Sequence, residues 1–130
     1  MKFDNRYIIE IGSLIIQSGD LTTEDWDSVS IIFDVGEGHV ANSGFIYLGN
    51  EVEPCIAEID DEPVAIDNKV IEFREHIESV SGHKFKQLLV QIERGSGKIK
   101  IDFEFDNHER WKITPSNIKE IKGYLKPNFD

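Results

Sequence analysis

Between Leu88 and Phe105 large apolar side chains recur at every second position. Leu88, Val90 and Ile92 come first, then Ile99, Ile101, Phe103 and Phe105, which alternate with Lys98, Lys100, Asp102, Glu104 and Asp106. A period of two puts the apolar set on one face and the charges on the other, as in a half-buried antiparallel strand. Gly95-Ser96-Gly97 separates the two runs and supplies residues free to take positive φ at a tight reversal. The stretch therefore reads as a hairpin with one dry face.

The same alternation sets Val29, Ile31, Phe33 and Val35 against Ser28, Ser30, Ile32 and Asp34, which predicts a first strand. Gly36-Glu37-Gly38 follows as a turn, and Phe45 to Leu48 as a short second strand closed by Gly49-Asn50. From Glu51 to Ile66 the alternation weakens, and Pro54 and Pro63 limit it to an edge strand or an irregular loop. Trp111-Lys112-Ile113 is expected to form a short last strand.

Helical spacing takes over in three places. From Phe3 to Ser18, Tyr7, Ile8, Ile11, Leu14 and Ile15 share one stripe; Ile9 and Ile16 widen it, which predicts cover on more than one side. Gly19 stands where a left-handed residue would end this helix. Ile66, Val70, Phe73, Ile77 and Val80 give the best stripe in the chain, with Asp67 as the expected cap, Gly82 as the stop, and Glu72, Glu75 and Glu78 on the outer face. A terminal helix is expected to open at Thr114-Pro115, to turn Ile118, Ile121 and Leu125 inward, and to stop at Pro127. This order predicts an α+β fold in two layers: an antiparallel sheet of four to six strands packed with an N-terminal, a central and a C-terminal helix. No repeat or long linker divides the chain, so residues 1–130 are expected to form a single domain.

Composition narrows the choices. The chain has 130 residues, of which 39% are hydrophobic and 30% charged, enough apolar material for a core without staples. Cys55 is the only cysteine, so no internal disulfide can form, which suits a reducing compartment. Neither a leader-like segment nor an apolar run of membrane-spanning length is read from the sequence, and a cytoplasmic location away from the membrane is expected.

Charge changes the picture more. Lys and Arg number 14 and Asp and Glu 25, a net charge of −11. From Tyr7 to Asn68 there is no Lys or Arg at all, against 14 acids. Nucleic acid is a poor direct ligand for such a surface, because phosphate contacts need clustered cations. The segregation reflects either selection for a basic partner or tolerated drift.

Catalytic constellations are weak. His39, His76, His83 and His108 lack the spacing of a helical zinc site, and Cys55 has no neighbouring cysteine. Asp60-Asp61-Glu62 lacks the alternating acids and closing Glu of a calcium loop. Gly95-Ser96-Gly97 is no nucleophile elbow, and Gly36-Glu37-Gly38 opens no helix that could cradle a phosphate. A third reading, an enzyme using Asp102, Glu104 and Asp106, gives way to a solvated strand face balanced by Lys98 and Lys100. No enzyme, cofactor or metal is expected. Trp111 and Trp26 read first as core residues, the latter with Asp25 and Asp27 left at the surface, and second as exposed anchors for a partner.

The hairpin from Ser96 to Asn107, followed by Arg110-Trp111-Lys112-Ile113-Thr114-Pro115, resembles the C-terminal signature of the YezG-like immunity proteins. An N-terminal helix, the Asp25-Trp26 pair before the first strand, and Phe73-Arg74-Glu75-His76-Ile77 before the hairpin are similar in order. The resemblance implies a cytoplasmic immunity protein that binds and neutralises the toxin domain of a bacterial polymorphic or contact-dependent inhibition system, as a monomer bound one-to-one. Many such toxins are nucleases with basic clefts, to which the acidic half is complementary. The acids expected to carry the contact are Asp25, Asp27, Asp34, Glu37, Glu51, Glu53, Glu58, Asp60, Asp61 and Glu62. The alternative is a small acidic type III secretion chaperone, which would dimerise and wrap an effector segment.

Overall fold

The structure, a computed structural model, describes residues 1–129. At its centre lies β1 (Ser28–Gly36), whose run of β-branched and aromatic residues is buried on both faces. Such a strand must find partners for every backbone N–H and C=O, and it finds them on both edges. On one side it pairs with β2 (His39–Leu48), which pairs in turn with β3 (Glu51–Cys55). On the other it pairs with β4 (Gln87–Glu93), which carries β5 (Ile99–Glu104) at the far edge. The order is β3-β2-β1-β4-β5, with every neighbouring pair antiparallel.

Register assigns each side chain to a face. Val29, Ile31, Phe33 and Val35 of β1 share one face with Leu88, Val90 and Ile92 of β4 and with the partly buried Ile99, Ile101 and Phe103 of β5. Two helices cover it: α1 (Arg6–Ile16), through Ile11 and Ile15, and α3 (Ala65–Ser81), through Ile66, Val70, Phe73 and Ile77. The short α2 (Gly19–Thr23) adds Leu21 to the same core, and Trp26 is buried there too.

The opposite face is covered as well, which makes three layers rather than the two expected. There Ile32, Phe45, Tyr47 and Leu89 pack against Trp111 and against Ile121 and Leu125, at and just beyond α4 (Ile118–Tyr124). The periodicity of a short terminal helix says that it has a dry side, not which side of the sheet receives it. Ile32, an apolar residue on the outward register of β1, was the local sign that this face is also dry.

Several element ends differ from the sequence pattern. Ile9 is 63% and Ile16 44% exposed, so α1 is covered on one side only. Gly19 is not a left-handed stop; it opens α2, and its N–H donates to the Glu58 carbonyl at 3.1 Å. β2 begins six residues before Phe45, because the run from His39 to Gly44, which lacks a continuous apolar alternation, still pairs with buried β1. Within it Gly44 is required by close approach: a Cβ there would run into the Ser30 carbonyl oxygen and Ile31 Cα. α3 is not capped by Asp67, which sits inside its first turn behind Val64, and Val80 is exposed. Gly82 does end α3, at φ +80 with its N–H on the Glu78 carbonyl at 2.8 Å. Residues 111–113 form no strand. Thr114-Pro115 does not open α4 either, because Asn117 Oδ1 accepts the Thr114 N–H at 2.8 Å and closes a separate turn first.

Candidate functional site

The ten acids singled out from the sequence fall into three places. Glu51 and Glu53 stand on the exposed edge strand β3, and Glu58, Asp60, Asp61 and Glu62 on the loop from β3 to α3. Asp25 and Asp27 lie at the end of the sheet where β1 begins. Asp34 and Glu37 lie at the other end, where β1 turns into β2.

The first group is a ledge of six exposed carboxylates, and among the described residues none of them takes part in an ion pair. Backbone ties hold the loop that carries it. Asn42 grips Ala57 from both sides, its Oδ1 accepting the Ala57 N–H at 2.7 Å and its Nδ2 donating to the Ala57 carbonyl at 2.9 Å. Asp20 Oδ2 accepts the Ile56 N–H at 3.0 Å. Glu62 then bridges back to Ile59, with N–H to carbonyl at 3.1 Å. A negative surface on pinned backbone keeps its charges together on one side of the molecule, the arrangement that gives a directed field. Its influence reaches inward: burial raises the Asp67 carboxyl above its ordinary value, Asn42 opposes this by hydrogen bonding, and the charge of Glu58 raises it further. Beneath the ledge Cys55 is buried, and burial, with a smaller contribution from Asp20, pushes its thiol up to about 12. A thiol held in that state is a poor nucleophile.

Asp25 and Asp27 serve the fold where they stand. Asp25 Oδ1 meets Arg94 Nη1 at 2.8 Å, and the Arg94 guanidinium lies 5.3 Å from the Trp26 ring centroid. Asp27 Oδ2 accepts the Gly49 N–H at 2.7 Å, tying the turn after β2 to the start of β1. Asp34 is similarly engaged. Its Oδ1 accepts Gln87 Nε2 at 2.6 Å, and Gln87 Oε1 accepts the Trp111 N–H at 3.0 Å. This chain of bonds fixes the segment after β5 against the sheet.

The histidines are dispersed. His76 Nε2 accepts the Asp4 N–H at 3.0 Å while its ring stacks on Tyr7 at 4.8 Å. Among the described residues no three His, Cys, Asp or Glu side chains are grouped to hold a metal ion. No described helix is long and apolar enough to cross a membrane. Sequence reading passed over Gln87, Gln91 and Ser30, and the signal for them was polar residues at alternate positions inside strongly apolar strands. It also passed over a cluster of cations beside Asp34, which comes from separated stretches and leaves no local spacing to detect. No family model matches the chain, and no curated protein matches it.

Proposed function

We propose that this protein is an immunity protein, acting in the cytoplasm, that binds and neutralises a basic toxin domain, a nuclease by class, through its acidic ledge. The observation that carries this reading is the set of six exposed carboxylates, Glu51, Glu53, Glu58, Asp60, Asp61 and Glu62, which among the described residues form no ion pair. Clustered, unneutralised charge lowers the cost of meeting a basic surface and speeds encounter, and it offers nothing to an acidic one. A nuclease cleft is lined with cations for phosphate, so a protein that presents carboxylates in place of phosphates blocks or caps it. Asp25, Asp27 and Asp34 support the framework, and Glu37 lies away from the ledge.

The test is calorimetry with a catalytically disabled toxin domain from the gene preceding this one, at low and high salt. One-to-one binding that weakens with salt is expected. Reversing Glu53, Glu58, Asp60 and Glu62 to lysine should slow association by about tenfold or more at low salt. Reversing Glu72 and Glu75 on the outer face of α3 should leave it nearly unchanged. Association that ignores the ledge substitutions and the salt would remove the ledge from the interface. An obligate dimer that binds an extended effector segment instead would favour the chaperone alternative.

A further inference from the structure

Cations that lack carboxylate partners are unexpected in a chain with 25 acids and 14 bases. Two of them meet at the end of the sheet where β1 finishes. A cavity of about 480 Å³ opens there against Val35 and Gly36. Arg74 of α3, Lys86 just ahead of β4 and Lys112 beyond β5 bring cations to its wall, and His39 and His108 bring imidazoles. Asp34 and Glu37 complete it.

The cations are positioned by neutral acceptors. Arg74 Nε donates to the Phe85 carbonyl at 2.7 Å, which fixes the plane of the guanidinium and leaves the Nη donors for another acceptor. Lys86 Nζ donates to the Asp106 carbonyl at 3.1 Å. Among the described residues neither makes an ion pair; Lys112 has one, with Glu109 at 4.0 Å. His39 is set by the shape of the backbone, since its ring occupies the space where a Cβ on Gly36 would stand, 3.0 Å from Nδ1. The carboxylate of Asp34 already accepts the Gln87 amide.

We propose that this cavity binds a small phosphomonoester carrying hydroxyl groups, of the size of a sugar phosphate or a nucleoside monophosphate. Cations and imidazoles that converge from separated stretches suit a tetrahedral group with several acceptor oxygens, whereas a planar carboxylate would use one edge. Asp34 and Glu37 would repel a second anionic group and accept hydrogen bonds from hydroxyls, which sets the body of the ligand beside its phosphate. The volume falls within the range of small-molecule sites. This site is independent of the acidic ledge.

The test is an amide and side-chain NMR titration of the whole chain with ribose 5-phosphate, inorganic phosphate and ribose in parallel. Ribose 5-phosphate is expected to give saturable shifts at Gly36, His39, Lys86 and the Arg74 Nε–H, inorganic phosphate weaker ones at the same places, and ribose none. The double variant Lys86→Gln, Lys112→Gln, which leaves the Arg74 bond in place, should weaken the ester by about tenfold. Glu37→Gln, in an exposed turn, gives a second readout and should strengthen inorganic phosphate. Shifts that do not saturate by about 10 mM ligand would overturn the proposal, since weaker binding than this is not site binding. So would shifts scattered over Lys2, Lys98 and Lys119, or an affinity untouched by all three substitutions. Equal affinity for inorganic phosphate and the ester would overturn the role given to Asp34 and Glu37.

Discussion

The two faces of the sheet are both dry, but they are held by different means. On the α1 and α3 side the contact is apolar and aromatic. Phe73 alone has ring neighbours in Phe3 at 5.6 Å, Tyr7 at 5.4 Å, Phe85 at 5.9 Å and Phe103 at 5.7 Å. On the α4 side polar groups reach out of the sheet and take hold of backbone. Ser30 Oγ and Gln91 Nε2 both donate to the Leu125 carbonyl, at 2.6 and 3.1 Å, and the Tyr47 hydroxyl donates to the Lys122 carbonyl at 2.6 Å. Burial also raises the pKa of that hydroxyl, so it remains a donor. A long amphipathic helix finds its place by burying a stripe. A helix of seven residues has little stripe to bury, and directional bonds to the ends of its backbone supply the missing registration.

Substitutions that separate the two kinds of attachment test this contrast. Phe73→Ala removes the ring shared by four aromatic neighbours and should cost about 3–5 kcal/mol, read by urea unfolding. Gln87 and Leu88 are adjacent on β4 and face opposite ways. Gln87→Leu, although more apolar, should cost about 2–3 kcal/mol because it strands the Trp111 N–H and the Asp34 carboxylate, while Leu88→Met should cost less than about 1.5 kcal/mol. Similar losses at the two positions would erase the distinction. Ser30→Ala should cost only about 1 kcal/mol, because Gln91 still serves the Leu125 carbonyl.

The smallest effect concerns the charges that continue the α4 side onto β5. The N–H groups of Asn107 and Asp106, with Arg110 beside them, hold the Glu104 carboxyl below its ordinary value. A depressed carboxyl contributes stability above its unfolded pKa and loses it as the pH falls through the folded one. Glu104→Gln should therefore melt lower than the parent near pH 7, and the difference should shrink toward about pH 3. A difference that is constant with pH would attribute the loss to packing.

The same contrast explains what could be read in advance. Spacing alone placed β1, β4, β5 and the central helix, because Val29 to Val35, Leu88 to Ile92 and Ile66 to Ile77 bury by simple periodicity. Trp26 and Trp111 are in the core as expected. The third layer was not legible, since Ser30, Gln87 and Gln91 look like solvent-facing residues until the chain that covers them is in place. The acidic half was visible as composition, but its division into a ledge, three acids set into the framework and Glu37 in an exposed turn depends on which groups lie beside each carboxylate. The cationic cavity was invisible, because its side chains come from β2, α3 and the segments before β4 and after β5, and meet only in the completed fold.

That pairing has a consequence for how the molecule comes into being. Ser28 of β1 faces Tyr47 on one side and Glu93 on the other. A chain emerging from the ribosome can close the β1, β2 and β3 meander early, while the second edge of β1 waits until α3 and β4 have been made. During that interval Val29, Ile31 and Phe33 lack the cover of α3 and lie beside an open strand edge, the condition under which newborn chains associate wrongly. The stretch exposed at that stage carries no Lys or Arg between Tyr7 and Asn68. Two such unfinished chains would carry like charge along that stretch and repel each other, which opposes pairing at the open edge.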